Sequence, residues 1–131
     1  MKRLVWLLLG IALVIGIFFI MDNIVKVNYM SFAGKSKNWE ATIIISQQNQ
    51  KSENKKLTLK YIGSESISEV EYQASDLSGQ MSGTEELDKK TKQIIKESRC
   101  SGCMMTDGNQ TIGLKIKWNE KEEFIILHPV S

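Results

Sequence analysis

The stretch TIGLKIKWNEKEEFIILH, residues 111–128, carries the clearest structural pattern in the chain. Its first half alternates apolar residues with glycine and lysine, a period of two that is typical of a strand with one buried face. The apolar positions of that face are Ile112, Leu114, Ile116 and Trp118. The polar link 119–122 is short enough for a hairpin, and residues 123–128 form the partner strand, which Pro129 is expected to end. The stretch therefore predicts an antiparallel hairpin.

The same alternation predicts four further strands towards the N-terminus, and the pair Ile94 and Ile95, with the β-branched Thr91, favours a fifth. They cover residues 39–46, 56–62, 69–74, a weak strand within 77–81, and 92–98. A short helix over 85–92 is the alternative for the last segment, and the polar residues 47–54 are predicted to be an exposed loop. Short strands at this spacing predict an all-β fold, an antiparallel immunoglobulin-like β-sandwich, with a small barrel as the alternative. The aromatic residues expected in or near its core are Trp39, Tyr61, Tyr72, Trp118 and Phe124.

The N-terminus contains an uninterrupted apolar run, LVWLLLGIALVIGIFFIM, over residues 4–21. As a helix, Leu4 to Met21 is about 27 Å long, close to the hydrocarbon thickness of a bilayer. Because no small-residue cleavage site follows at the right distance, we expect an uncleaved signal-anchor, a single transmembrane helix. Lys2 and Arg3 directly precede the run and favour an N-terminus inside the cell; basic residues after the run leave the opposite orientation open.

The remaining chain is long enough for one domain. We expect residues 1–23 to form the signal-anchor, residues 24–37 a tether, and residues 38–131 a β-sandwich domain outside the cytoplasm that folds alone as a monomer. From Gly34 onwards the basic and acidic residues balance, so the domain lacks the positive charge expected of a nucleic-acid binder.

The pair Cys100 and Cys103, in the motif CSGC, is the main chemical lead. Ser101 and Gly102 suit a tight turn that brings the cysteines within disulfide range, and an exported domain favours oxidation. Two other readings stay open for this spacing: a thiol redox site, or a copper site. The metal site would use Cys100, Cys103, Met104 and His128. We expect no cofactor otherwise.

The whole chain, and three segments in particular, resembles small membrane-tethered envelope proteins of Gram-positive bacteria. They are KNWE at 37–40, the CSGC motif at 100–103 and KWNEKEE at 117–123. The resemblance implies an extracytoplasmic β-domain, often on a lipoprotein, and brings no catalytic residue because the function of that group is unknown. This chain has no lipid-accepting cysteine after its apolar run, so the helix would provide the anchor.

His128 is the sole histidine of the sequence, and the acidic residues form no pattern typical of paired catalytic carboxylates. We therefore do not expect an enzyme. Two hypotheses remain: a non-catalytic cell-surface module that binds an envelope protein, and a thiol or metal protein that acts through the CSGC motif.

Overall fold

The computed structural model describes residues 1–22, 26–77 and 79–130, which form one N-terminal helix and eight strands. The helix α1 spans Lys2–Asp22. The strands are β1 (Val27–Lys35), β2 (Trp39–Gln48), β3 (Ser52–Tyr61), β4 (Glu69–Asp76), β5 (Gly79–Glu86), β6 (Gln93–Ser101), β7 (Ile112–Trp118) and β8 (Lys121–Val130). By length and composition α1 qualifies as a membrane-spanning helix. The predicted boundary at Asn23 and Ile24, and the last residue, Ser131, lie outside the described residues.

All neighbouring strands are antiparallel, in the order β5-β4-β7-β8-β1-β2-β3-β6. Strand β8 joins two halves of the sheet, because residues 121–127 pair with β7 and residues 128–130 pair with β1. The sheet curves until its edge strands approach, and Lys96 Nζ of β6 lies 2.6 Å from Glu85 Oε1 of β5. The fold is therefore antiparallel β as predicted but barrel-like, and the immunoglobulin-like sandwich is not confirmed.

The inward face of the sheet is apolar because the period of two places every second side chain in the interior. Trp39, Tyr61, Tyr72 and Trp118 are buried as predicted. The Trp39 ring centroid lies 5.1 Å from that of Tyr61 and 5.5 Å from that of Trp118. Phe124, which is expected in the core or at its rim, is instead 62% exposed on the outer face. The run 124–127 is apolar throughout, so alternation does not identify its inward face, which Ile125 and Leu127 occupy.

The predicted tether is a strand. Residues 27–35 form β1, which lies between β8 and β2 and pairs with β2 over its whole length. Phe32 of this strand is fully buried. Its apolar residues do not mark one buried face as they do in the other strands, because Val27 and Tyr29 are exposed and Phe32 is buried. The pairing with β2 and with β8, which is distant in sequence, therefore decides that this segment is a strand. The first tether residues, Ile24 and Val25, lie outside the described residues.

Three local predictions also change. The polar segment 47–54 is not an open loop, because β2 and β3 extend into it and leave a tight turn in which Asn49 and Gln50 both have positive φ. The alternative helix over 85–92 does not form, since β5 continues to Glu86. Pro129 does not end β8, which continues to Val130.

Candidate functional site

The end of the barrel that α1 leads into carries a buried polar network. Because neighbouring strands are antiparallel, the odd-numbered strands begin at this end and the even-numbered strands finish there. We call it the helix-proximal end; it comprises the start of β1, the β2–β3 turn, the end of β4, the end of β6 and the loop 102–111. The opposite, distal end holds the contacting rings of Trp39, Tyr61 and Trp118, which we call the Trp39 cluster. Loop 102–111 connects β6 to β7 and so crosses from one half of the sheet to the other.

Glu53 is the centre of this network and is 1% exposed. Its Oε2 accepts hydrogen bonds from the Thr106 backbone N–H and from Gln47 Nε2, both at 2.8 Å, and its Oε1 accepts one from Thr106 Oγ1 at 2.6 Å. Burial raises the pKa of this carboxyl, but the hydrogen bonds from Thr106 and Gln47, with the charge of Lys55, outweigh it and lower the pKa below the usual value for glutamate. The ionised carboxylate thus ties loop 102–111 to β3.

Lys55 extends the network across the barrel. Its Nζ lies 3.5 Å from Glu53 Oε1 and 3.1 Å from Asp76 Oδ2. Asp76 also accepts a hydrogen bond from the Gly79 backbone N–H at 3.0 Å. Strands β3 and β4 are not neighbours in the sheet, so the Lys55–Asp76 ion pair spans the space between its two halves. These charged groups close one end of the core.

Cys100 and Cys103 form a disulfide at the same end, with their Cα atoms 6.0 Å apart. Cys100 lies opposite Glu53 in the β3–β6 pairing. Gly102, at φ 74°, occupies the left-handed region that glycine favours, and its backbone N–H donates to the Lys51 carbonyl at 2.9 Å. The cysteine turn is therefore bonded to the β2–β3 turn.

The alternative metal ligands are not brought together. His128 lies on β8, and β1, β2 and β3 separate that strand from β6, which carries Cys100. Met104 follows the disulfide and is 66% exposed. Within residues 1–22, 26–77 and 79–130, no group of three histidine, cysteine or acidic side chains is arranged to hold a metal ion. A copper site on these four residues would require a different arrangement of the chain.

The outer face of the barrel carries exposed apolar side chains on β8. Phe124, Ile126 and Val130 are 62%, 50% and 54% exposed. Phe124 lies over Gly113 of β7, where an added Cβ would come within 3.1 Å of Phe124 Cζ. We call Phe124, Ile126 and Val130 the β8 patch. On the side of β8 away from β7, the neighbouring strand β1 has small outward residues: Ser31 lies opposite Val130, and Ala33 lies opposite His128.

No protein-family model, curated protein or solved structure matches the chain.

The sequence-based prediction missed Gln47 and Glu53 because both lie in a segment that contains no apolar residue. A usable signal was present. Gln47 continues the inward series of β2 two residues after Ile45, and Glu53 and Lys55 precede Leu57 on the inward face of β3. Extending the period of two past the last apolar residue would have placed these polar side chains at the end of the core.

Proposed function

We propose that the protein is a non-catalytic, membrane-anchored module whose β-domain lies outside the cytoplasm and, as a monomer, binds an envelope protein through the β8 patch. The observation that carries this proposal is that these three apolar side chains are exposed on the outer face, although the core is already formed by the inward side chains. Apolar side chains clustered on a surface are typical of a site that another molecule covers. Aromatic residues such as Phe124 are enriched at the centres of protein interfaces.

The helix α1 supports the membrane part of the proposal. It is long and apolar enough to cross a bilayer and begins with Lys2 and Arg3, as a signal-anchor with an inner N-terminus does. The protein should therefore be extracted from membranes with detergent but not with carbonate, and should keep its N-terminal sequence. A soluble form lacking α1 would contradict the anchor.

The buried charged groups support a non-catalytic role. Glu53 and Lys55 have interaction partners inside the barrel end, and Glu53 is closed off from solvent. Their contacts fix a loop and bridge two strands, which is a structural use of charge. A general acid or base needs access to a substrate proton, which Glu53 lacks in this arrangement.

Crosslinking from the β8 patch tests whether an envelope protein binds there. A photoreactive amino acid replaces Ile126 in the full chain in its native cells, and the matched control replaces Ile62, which is 37% exposed at the distal end. We expect Ile126 to yield one defined crosslinked envelope protein and Ile62 not to yield it. The substitution Ile126→Ser should abolish that product when the crosslinker is placed at Phe124. The same products from both positions would contradict the proposal.

The disulfide favours a second candidate, a thiol redox protein acting through Cys100 and Cys103. The substitution of both by serine discriminates the two functions. If a strain without the protein is complemented by this double variant but not by Ile126→Ser with Val130→Ser, the interaction module is supported. The reverse result, with both variants folded and present in the membrane, supports the redox candidate.

A further inference from the structure

We propose that the helix-proximal end of the barrel rests on the surface of the membrane and inserts apolar side chains among the lipid headgroups. This inference rests on the anchor proposed above and adds a second contact with the lipid. Its occupant is an anionic phospholipid surface, and the contact is made by the rim of the barrel rather than by the β8 patch.

The short connection between α1 and the sheet holds this end close to the bilayer. Lys26 is already part of the folded domain: its carbonyl accepts a hydrogen bond from the Asn49 backbone N–H at 3.1 Å, and its N–H donates to Asn49 Oδ1 at 3.2 Å. From Asp22, the last residue of α1, to Lys26 the chain spans at most about 14 Å even if fully extended. The headgroup region of one leaflet is about 5–8 Å thick, so the rim lies at or just above it.

Exposed apolar residues are present at this rim in three separate segments. Tyr29 on β1 is 71% exposed, Leu77 in the β4–β5 turn is 79% exposed, and Met104 in the loop after the disulfide is 66% exposed. Leu77 and Met104 lie in connections between strands rather than on a sheet face, so neither is there to fill the core. Tyrosine is also one of the residues enriched at the headgroup level.

The charges at the rim match an anionic surface. Lys26, Lys51 and Arg99 are exposed and positively charged, and Asp107 is the exposed acidic residue of the loop 102–111. Two further carboxylates at this end are neutralised within the protein, because Glu53 is buried and Asp76 pairs with Lys55, whereas Asp22 at the end of α1 offsets one of the three basic charges. Basic residues beside a membrane anchor are attracted to acidic lipids, which adds to the contact that the apolar side chains make.

Fluorescence quenching on the full chain in vesicles tests the proposal. Single cysteines replace Leu77, Tyr29 or, as the distal control, Ile62, and each receives an environment-sensitive dye; the native cysteines are protected as a disulfide. The vesicles contain phosphatidylcholine with phosphatidylglycerol and a lipid that carries a quencher in its headgroup. We expect quenching at positions 77 and 29 to exceed that at position 62 at least threefold. Adding Lys51→Glu and Arg99→Glu should reduce the quenching at position 77 by half or more.

The outcomes separate this inference from the anchor. Equal, weak quenching at all three positions in a chain that sediments with the vesicles would overturn the contact and leave the anchor intact; the rim would then be free for a protein. A chain that does not sediment with the vesicles would overturn both. Far-ultraviolet circular dichroism and tryptophan emission check that each variant is folded before it is compared.

Discussion

At the scale of single residues, Glu53 fixes the polar segment 47–54 to the rest of the barrel through its hydrogen bonds with Gln47 and Thr106. Replacing it by glutamine removes the charge while keeping the shape, and it turns one acceptor oxygen into a donor that faces Thr106 or Gln47. Hydrogen bonds to a charged group contribute about 1.5–3 kcal/mol, so we expect Glu53→Gln to lower the free energy of unfolding by about that amount at pH 7. Urea titration of both forms measures it, with Glu122→Gln, at an exposed position on β8, as the control.

The pH dependence of that difference follows from the lowered pKa of Glu53. The unfolded chain binds a proton at about pH 4.3, whereas the folded carboxyl binds one only at lower pH, so the charge stabilises the folded state fully above that value. The contribution falls as the pH drops below about 4.3 and through the folded pKa. We therefore expect the gap between the parent and Glu53→Gln to narrow in this range, and a gap that stays constant from pH 6 to pH 3 would refute the assignment.

Trp118 tests how much the Trp39 cluster contributes to the free energy of unfolding. The side chain is buried, and its ring meets Trp39 edge to face with centroids 5.5 Å apart. Truncating a buried large aromatic residue typically costs about 3–5 kcal/mol, so Trp118→Ala should lower the free energy of unfolding by that amount. Tyr29→Ala, at an exposed position on β1, is the matched control and should change it by less than about 0.5 kcal/mol. Unfolding in denaturant measures both changes, and equal decreases in the free energy of unfolding would show that Trp118 is not part of the core.

At the scale of secondary-structure elements, β1 determines where the domain begins. All nine of its residues pair with β2, and three of them, Ser31 to Ala33, also pair with β8. A fragment of residues 38–131 lacks this strand and leaves the edges of β2 and β8 unpaired, with no Phe32 in the core. We expect residues 26–131 to give a dispersed amide NMR spectrum and residues 38–131 to be disordered or aggregated. A well-dispersed spectrum from the shorter fragment would show that β1 is dispensable.

The strands that the sequence predicts well are those with strict alternation and polar outward positions. For β2, β3, β4 and β7 the local pattern agrees with the burial in the fold. Strand β1 was mistaken because Val27 and Tyr29 face outward and only Phe32 is fully buried, so local hydrophobicity does not report its position. The barrel-like closure depends on which strands meet at β8 and at the β5–β6 edges. Those are pairings between distant segments, which a period of two cannot encode.

The candidate site was predictable only in part, for a related reason. The CSGC spacing predicts a bond between two cysteines that are close in sequence, and the structure contains that disulfide. The hydrogen bonds of Glu53 with Thr106 connect residues 53 positions apart. The spacing of residues in one segment contains no information on such a partner, and Thr106 sits in a loop that has no periodic pattern.

At the scale of the whole molecule, the redox state of Cys100 and Cys103 reports the compartment of the domain. Disulfides persist in oxidising surroundings and are rare in the cytosol. We expect both thiols to resist alkylation in protein taken directly from cells and to react after reduction, as mass analysis measures. The four-residue loop gives a chain-entropy stabilisation of only about 2 kcal/mol, so the reduced domain should stay folded. Two freely labelled cysteines without reductant would argue for a cytoplasmic domain or for the metal alternative.

The pairing of β1 with β8 joins the first strand of the domain to the last. The two halves of the sheet therefore cannot be connected until synthesis has produced residues 128–130, however early α1 is inserted. Contacts between segments so far apart give a high contact order, for which folding times of about milliseconds to seconds are typical. During that interval the inward side of β1, with Phe32, has no complete core to enter, and the unpaired edge of a strand can pair with another chain. Newly made copies crowded at one membrane site would then compete with the chain's own β8, so rapid overexpression should favour aggregation over folding.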